Sequence, residues 1–125
     1  GARAKLAVNL VLGLNRAALA EGLGFARRCG LDPAALLDVL KSGAAYSRVM
    51  DTKGPKMLAG DFAPEARLAQ HLKDVRLILA QGAAAGAHLP LSELHERLLA
   101  QLVRDGFGEC DNSSVVRAFD PGEAP

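Results

Sequence analysis

The sequence predicts an all-α fold, a multi-helix bundle built around one long central helix. Leucine and alanine, which favour helices, dominate the 125-residue chain. Apolar residues recur at helical spacing, and glycine or proline interrupts them at intervals typical of turns between helices. No stretch alternates apolar and polar residues as a half-buried strand does. With 50% hydrophobic residues, one domain of this length can bury a core of its own.

The first predicted helix runs from about Ala2 to Cys29 and ends before Gly30, a residue type common just after helix C-termini. At about 1.5 Å per residue it would be about 40 Å long, more than the width of a small domain. Apart from Asn9, residues 6–14 are apolar on every side. Because a helix that is apolar all round is normally buried, we expect this one at the centre of the bundle.

Shorter helices should follow. Asp32 and Pro33 are suited to the N-cap and the first turn of a second helix. The region 42–60 is less regular, and the Gly54-Pro55 pair should divide it into two short helical pieces.

Two longer helices and one short helix complete the prediction. Their expected limits are Pro64 to Gly86, Pro90 to Gly106, and a last short helix that follows a cap within Asp111–Ser113. The apolar face of the second of these is predicted to contain Leu94, Leu98, Leu99, Leu102 and Val103. The Pro- and Gly-rich tail, residues 120–125, is predicted to be disordered.

Composition argues against several functional classes. The net charge is +1, no basic block stands out, and aromatic residues make up only 4%, so we expect no nucleic-acid partner. The longest stretch without Asp, Glu, Lys or Arg, residues 77–92, is too short and too interrupted to span a bilayer, so we expect no membrane. The three histidines and two cysteines lack metal-ligand spacing, so no metal site is predicted. Cys29 and Cys110 are interpreted as reduced thiols of a cytoplasmic protein, with one disulfide in a secreted domain as the alternative.

Lys5 and Asn9 are the first candidates for chemistry. They are four residues apart, so a helix places them one above the other on one face, where both interrupt an apolar run. One interpretation is an acid/base with an amide that orients a polar substrate. The alternative, which the spacing alone favours, is a solvated lysine near a helix end and an amide bonded to nearby backbone.

Lys73 and Asp74 are the second candidates, in the middle of the predicted 64–86 helix. Adjacent residues on a helix point about 100° apart, so these two should not pair directly. The alternative is an ordinary solvated face that also includes Arg67 and Arg76.

In order and spacing, six short motifs resemble the C-terminal domain of the β-hydroxyacid dehydrogenase family, which includes 3-hydroxyisobutyrate dehydrogenase and tartronate semialdehyde reductase and is related to 6-phosphogluconate dehydrogenase. No single motif is specific, but together they cover residues 1–119. The motifs are Gly1–Asn9, Ala20–Gly22, Gly30–Asp32, Lys73–Val75, Pro90 and Gly106–Ser113.

The resemblance implies an NAD(P)-dependent oxidoreductase that transfers hydride between a nicotinamide cofactor and a small β-hydroxyacid or semialdehyde. Lys5 would be the catalytic acid/base, Asn9 and Asp74 would bind substrate, and Lys73 would reach the cofactor. Residues 1–119 would form the helical substrate and dimerisation domain of a homodimer or larger homo-oligomer. NAD or NADP would be held mainly by an N-terminal Rossmann domain that this chain lacks, so the chain alone should be inactive.

Two positions depart from the family pattern. Val8 replaces the first of two asparagines, and Ala66 replaces an aromatic residue that lines the substrate pocket, which suggests a bulkier substrate. The chain opens with Gly1 and enters a helical pattern at once, so we expect it to be part of a longer protein. The alternative, from another class, is a free-standing helical oligomerisation or interaction module without catalysis.

Overall fold

The structure is a computed structural model that describes residues 1–120. Within that range the chain forms helices and loops but no strand, and one isolated bridge joins Arg67 to Asp111. The predicted all-α class is therefore confirmed. The helices are α1 (Ala2–Arg28), α2 (Pro33–Lys41), α3 (Val49–Thr52), α4 (Gly54–Ala59), α5 (Leu68–Ala85), α6 (Pro90–Arg104) and a final 3₁₀ helix (Asn112–Ala118).

The C-terminal half of α1 is the centre of the bundle. It contributes Leu19, Ala20, Leu23 and Ala26 to the core, and α1 contacts α2, α3, α5, α6 and the 3₁₀ helix. The helix ends as predicted, because Gly30 takes a positive φ and lets the N–H of the next residue bond back to the carbonyl of Ala26.

No residue of α1 from Ala2 to Leu12 is buried, so the predicted burial of this end of the helix is wrong. Val8 is 57% exposed, Val11 55% and Leu12 39%. The cause is length: α1 has 27 residues and α5 has 18, so at about 1.5 Å per residue α1 extends well beyond its neighbour. An apolar surface of this kind is characteristic of a contact with another domain or subunit.

By length and composition alone, α1 could also cross a membrane. The core helix of a soluble protein passes the same test. Arg16 lies buried in the middle of α1, and the helix packs against five other elements, which is the arrangement of a core helix.

The start of α5 differs from the prediction, since the helix begins at Leu68 and not at Pro64. The carboxylate of Asp111 accepts the N–H groups of Glu65 and Ala66 at 3.0 and 3.1 Å, which holds this segment as a loop. The first N–H groups of α5 then bond to carbonyls in the loop after α6, with Leu68 paired to Cys110. These tertiary hydrogen bonds, and not Pro64, therefore determine where α5 begins.

The buried face of α6 is also rotated from the predicted one. Leu94 is 48% exposed and Val103 is at the surface, whereas two polar residues turn inward. The buried residues are Ser92, His95, Leu99 and Leu102. These residues follow one another at three- and four-residue spacing. The prediction considered only apolar residues, so it missed Ser92 and His95.

The remaining helix limits agree with the prediction. The side chain of Asp32 caps α2 by accepting the N–H of Ala34 at 3.0 Å, and α3 and α4 meet next to Gly54. Of the tail predicted to be disordered, residues 121–125 lie outside the described residues. Asp120 forms an ion pair with Arg27 at 3.1 Å.

Candidate functional site

A polar cleft opens between α1, the loop before α5, α5 itself and the start of the 3₁₀ helix. Its volume is ≈ 580 Å³, within the range of small-molecule sites. Asn9 and Arg16 both line it from α1, because seven residues make almost two full turns and place them on one face. The lining residues are Asn9, Arg16, Pro64, Glu65, Ala66, Arg67, Gln70, His71, Asp74 and Asn112.

Two of the predicted substrate residues, Asn9 and Asp74, come together in this cleft although they lie 65 positions apart in sequence. Asp74 is half-buried and accepts a hydrogen bond from the side chain of Gln70 at 3.5 Å. Lys5 is exposed one turn before Asn9 on the same face of α1, about 6 Å along the helix axis. It does not line the cleft itself but stands beyond the Asn9 end of it.

Lys73 lines a different groove, of ≈ 380 Å³, which adjoins the cleft along α5. The separation from Asp74 follows from the angle of about 100° between adjacent helical residues, as expected from the sequence. Arg76 lines this second groove with Lys73, and Arg67 and Gln70 border both spaces. The structure therefore brings Asn9 and Asp74 together and leaves Lys73 apart.

A buried cluster behind the cleft, formed by Arg16, His71 and His95, was not predicted from the sequence. Arg16 is only 8% exposed, and its Nε has no hydrogen-bond partner. The two imidazole rings lie 5.4 Å apart between centroids. A signal for Arg16 was available, since it stands eleven residues after Lys5 and seven after Asn9 and so shares their helix face.

Burial and charge keep both imidazoles neutral. Burial, with the charge of Arg16 and then of His95 added, lowers the pKa of His71 to about 3. Burial and the charge of Arg16 lower the pKa of His95 to about 4. Burial also lowers the pKa of Arg16 itself, although the negative charge of Asp111 opposes that effect.

Gly13 makes room for this cluster on α1. A Cβ atom at this position would lie 2.2 Å from Nε2 of His71 and 3.1 Å from Cε1 of His95. Any side chain would displace the imidazole of His71 from the wall of the cleft. The absence of a side chain at Gly13 therefore allows the imidazole of His71 to take its position.

The buried ion pair of Lys53 and Asp111, which supports the rim of the cleft, was also not predicted. The sequence indicated Asp111 only as a helix cap, and its carboxylate does accept the N–H of Ser113 at 3.0 Å. The same carboxylate binds Nζ of Lys53 and the N–H groups of Glu65 and Ala66. Only the folded chain brings these donors together, so no local pattern indicated them.

No three His, Cys, Asp or Glu residues in the part of the chain described by the structure form a group that could hold a metal ion. Cys29 and Cys110 are free thiols, with Cys29 exposed, so the alternative of a disulfide between them is not what the structure has.

The chain is a helical bundle in which the longest helix places Asn9 in a polar cleft and Lys5 one turn before it. The chain belongs to the family described as "NAD-binding of NADP-dependent 3-hydroxyisobutyrate dehydrogenase", which matches residues 1–119. The resemblance carried by the six motifs is confirmed. NAD(P) is confirmed as the cofactor class of this family.

Curated relatives and solved structures agree with that assignment. Over 120 residues the chain is 31% identical to 2-hydroxy-3-oxopropionate reductase of Escherichia coli (strain K12). The match covers 96% of this chain and 41% of that protein. Over 118 residues it is 34% identical to glyoxylate/succinic semialdehyde reductase 1 of Arabidopsis thaliana, and the match covers 94% of this chain and 41% of that protein. The chain thus spans about two fifths of the length of these relatives.

A crystal structure of 3-hydroxyisobutyrate dehydrogenase from Salmonella typhimurium superimposes with a TM-score of 0.91 at 26% sequence identity. The match covers 95% of this chain and 42% of that structure.

Proposed function

We propose that the protein containing this chain is an NAD(P)-dependent dehydrogenase or reductase of small β-hydroxyacids or their semialdehydes. This chain would be the helical domain that closes its active site. The observation that carries the proposal is the polar stripe of α1: Lys5 and Asn9 lie on one face, and Asn9 opens into a cleft shared with Asp74. Family membership supports the same reaction class.

The residues of the second groove fit a contact with the cofactor. Lys73 is exposed in a groove bordered by Arg67 and Arg76, and such a basic surface suits the anionic part of a dinucleotide. Arg67 pairs with Glu109, and Arg76 pairs with Glu96. Lys73 is therefore the cation of this groove that can bind the cofactor. The strand and glycine-rich loop that hold most of a dinucleotide would belong to the preceding Rossmann domain.

When bound, the nicotinamide supplies or accepts the hydride. Lys5 then donates a proton from Nζ to the carbonyl oxygen during reduction and recovers it from the hydroxyl during oxidation. The amide of Asn9 orients the substrate beside that lysine, and Asp74 binds a polar group deeper in the cleft. Lys5 has no ion-pair or hydrogen-bonding partner for Nζ among the described residues, so its ammonium is free to approach a substrate.

The exposed apolar stripe supports the proposed partners. Val8, Val11 and Leu12 would be covered by the preceding Rossmann domain and by a second subunit of a homodimer or larger assembly. The free thiols of Cys29 and Cys110 support a cytoplasmic enzyme. The near-neutral charge supports the absence of a nucleic-acid partner.

The test is hydride transfer by the full-length protein, followed at the absorbance of the reduced nicotinamide. NAD and NADP should each be tried with a panel of small β-hydroxyacids and semialdehydes. Turnover of at least one pair is expected. The alternative, a helical module without catalysis, predicts no turnover with any pair while the protein remains folded and oligomeric.

A further inference from the structure

Arg16 is a buried cation whose hydrogen-bonding capacity is not used up by the protein. It is 8% exposed, lines the cleft, and leaves Nε without a partner. Among the described residues, no carboxylate forms an ion pair with it. Asp111 is the carboxylate whose charge acts on it, but Lys53 already pairs with that group at 3.0 Å. A buried charge without a partner is costly, and an anionic ligand would remove that cost.

Two other charged residues of the cleft, Glu65 and Arg67, have ion-pair partners. Glu65 pairs with Lys56 at 3.4 Å, and Arg67 pairs with Glu109 at 3.1 Å. Asp74 accepts from Gln70, and the neighbouring His71 is neutral at physiological pH because its pKa is about 3. Arg16 is therefore a buried cation of the cleft with no ion-pair partner among the described residues, and an anionic ligand would neutralise it.

The position of Arg16 separates it from the reacting end of the proposed substrate. It lies eleven residues after Lys5, about 16 Å along the axis of α1. Long side chains on a helix generally lean back towards its N-terminus. The first carboxylate of a β-hydroxyacid, one carbon away from the reacting carbon, would stay near Lys5 and Asn9. Ala66, which lines the cleft with a small side chain, leaves space for a longer molecule.

We infer that Arg16 binds a second carboxylate at the far end of the substrate, so that the preferred substrates are hydroxy dicarboxylic acids. A guanidinium binds a carboxylate through two parallel hydrogen bonds, and a buried site strengthens that pair. The inference rests on the proposed function, because it extends the same cleft. Arg16 thus determines specificity and takes no part in proton transfer.

The kinetic test compares two acids of equal length in the full-length enzyme. 2-(Hydroxymethyl)glutarate carries the second carboxylate, and 2-(hydroxymethyl)pentanoate ends in a methyl group. The wild type should prefer the dicarboxylate, and Arg16→Met should lower kcat/KM for it by about 100-fold, chiefly through KM. The same variant should change kcat/KM for the monocarboxylate by no more than about threefold. Arg16→Lys, which keeps the charge but not the fork, should retain part of the preference.

The control is Arg28→Met on the same helix, an exposed position at its far end, which should keep the wild-type preference. Absence of any preference in the wild type would overturn the inference without the need for a folded variant. Equal losses for both acids in Arg16→Met would also overturn it, because a merely structural role predicts that result.

Calorimetric titration with glutarate and with butyrate separates this inference from the proposed function. Wild-type protein should bind glutarate at least about tenfold tighter than butyrate, and Arg16→Met should abolish the difference. If no acid is turned over but this difference holds, the proposed reaction fails and the Arg16 site stands. If hydroxyacids are turned over but glutarate and butyrate bind alike, the Arg16 site fails and the reaction stands.

Discussion

Lys53 and Asp111 form a buried ion pair in which Nζ lies 3.0 and 3.1 Å from the two carboxylate oxygens. The pair joins the α3–α4 junction to the start of the 3₁₀ helix across 58 positions of sequence. Burial alone would raise the pKa of Asp111, but hydrogen bonds from Ser113 and from the backbone of Ala66 and Glu65 hold that pKa well below its usual range. The loop that borders the cleft is anchored on this carboxylate.

Removal of Lys53 should therefore destabilise the fold strongly. Lys53→Met leaves a carboxylate buried without its cation, which typically costs about 3–5 kcal/mol in the free energy of unfolding. Urea denaturation of the chain gives this quantity directly. Lys41→Met, which breaks the exposed pair with Asp51, is the matched control and should have little effect. Similar stabilities for the two variants would contradict the role assigned to the buried pair.

Two glycines of α1 should respond to alanine in opposite directions. Gly13→Ala places a methyl group against His71 and should destabilise the chain by about 1–3 kcal/mol, the usual cost of overpacking. At Gly22 on the same helix, a methyl group would meet no other atom within 4 Å, so Gly22→Ala should stabilise by about 0.5–1 kcal/mol. Thermal unfolding of both variants checks the pair. The steric explanation fails if Gly13→Ala also stabilises.

The neutral imidazoles make stability sensitive to mild acid. The pKa of His71 is about 3 and that of His95 about 4 in the folded chain, against 6.5 for a free histidine. Below pH 6.5 the unfolded chain therefore binds protons that the folded chain does not, so stability falls as the pH falls from about 6.5 towards these values. Urea midpoints between pH 7.5 and about 4.5 should decline steadily.

Variants of the histidines test whether the buried imidazoles cause that decline in stability. His95→Gln should flatten the dependence on pH, because one of the two groups is removed. His88→Gln, at an exposed position, should keep the wild-type dependence. If the urea midpoint were constant over this pH range, the imidazoles would not be buried in their neutral form.

The exposed end of α1 should mediate association. Val11→Lys places a charge within the apolar surface that also includes Val8 and Leu12. Light scattering of the wild-type chain at micromolar concentration should give a dimer or larger species, and Val11→Lys should shift it towards monomer. Phe25→Lys, an exposed apolar position at the other end of α1, is the control. A monomeric wild type would contradict the proposed assembly.

The sequence predicted local features better than long-range ones. The cap at Asp32, the glycine after α1 and the division at Gly54 depend on neighbours in the chain, and each was predicted correctly. Burial of residues 6–14 was wrong because apolar periodicity does not specify which molecule covers a face. The α5 start was wrong because Asp111, 46 positions after Glu65, takes the backbone donors.

The candidate site shows the same division. Helical spacing alone put Lys5 and Asn9 on one face and separated Lys73 from Asp74. The encounter of Asn9 with Asp74, and the burial of Arg16 beside two histidines, depend on how α1 packs against α5 and α6. Helical spacing placed Arg16 on the face of Lys5 and Asn9, but no local pattern indicated that this arginine would be buried, so it was overlooked.

The last prediction concerns Lys5 in the full-length enzyme. Lys5→Ala should lower kcat by about 10²–10⁴, because the hydride acceptor then lacks a positioned proton donor. Cofactor affinity should hardly change, since most cofactor contacts would come from the other domain. Lys5→Arg should not rescue the rate, because a guanidinium does not give up its proton at any working pH. Asn9→Ala should instead act mainly on substrate orientation and leave a smaller deficit.

Steady-state kinetics against pH separate a catalytic Lys5 from a structural one. The pH–rate profile of the wild-type enzyme should have a limb that reports ionisation of the catalytic acid/base, and the profile of Lys5→Ala should lack that limb. Arg3→Ala, two residues away at an exposed position of the same helix, is the matched control and should keep both the rate and the profile. A near-normal rate with an unchanged profile in Lys5→Ala would make Lys5 a surface residue. The proton would then have to come from elsewhere in the protein, and the polar stripe of α1 would no longer support the proposed reaction.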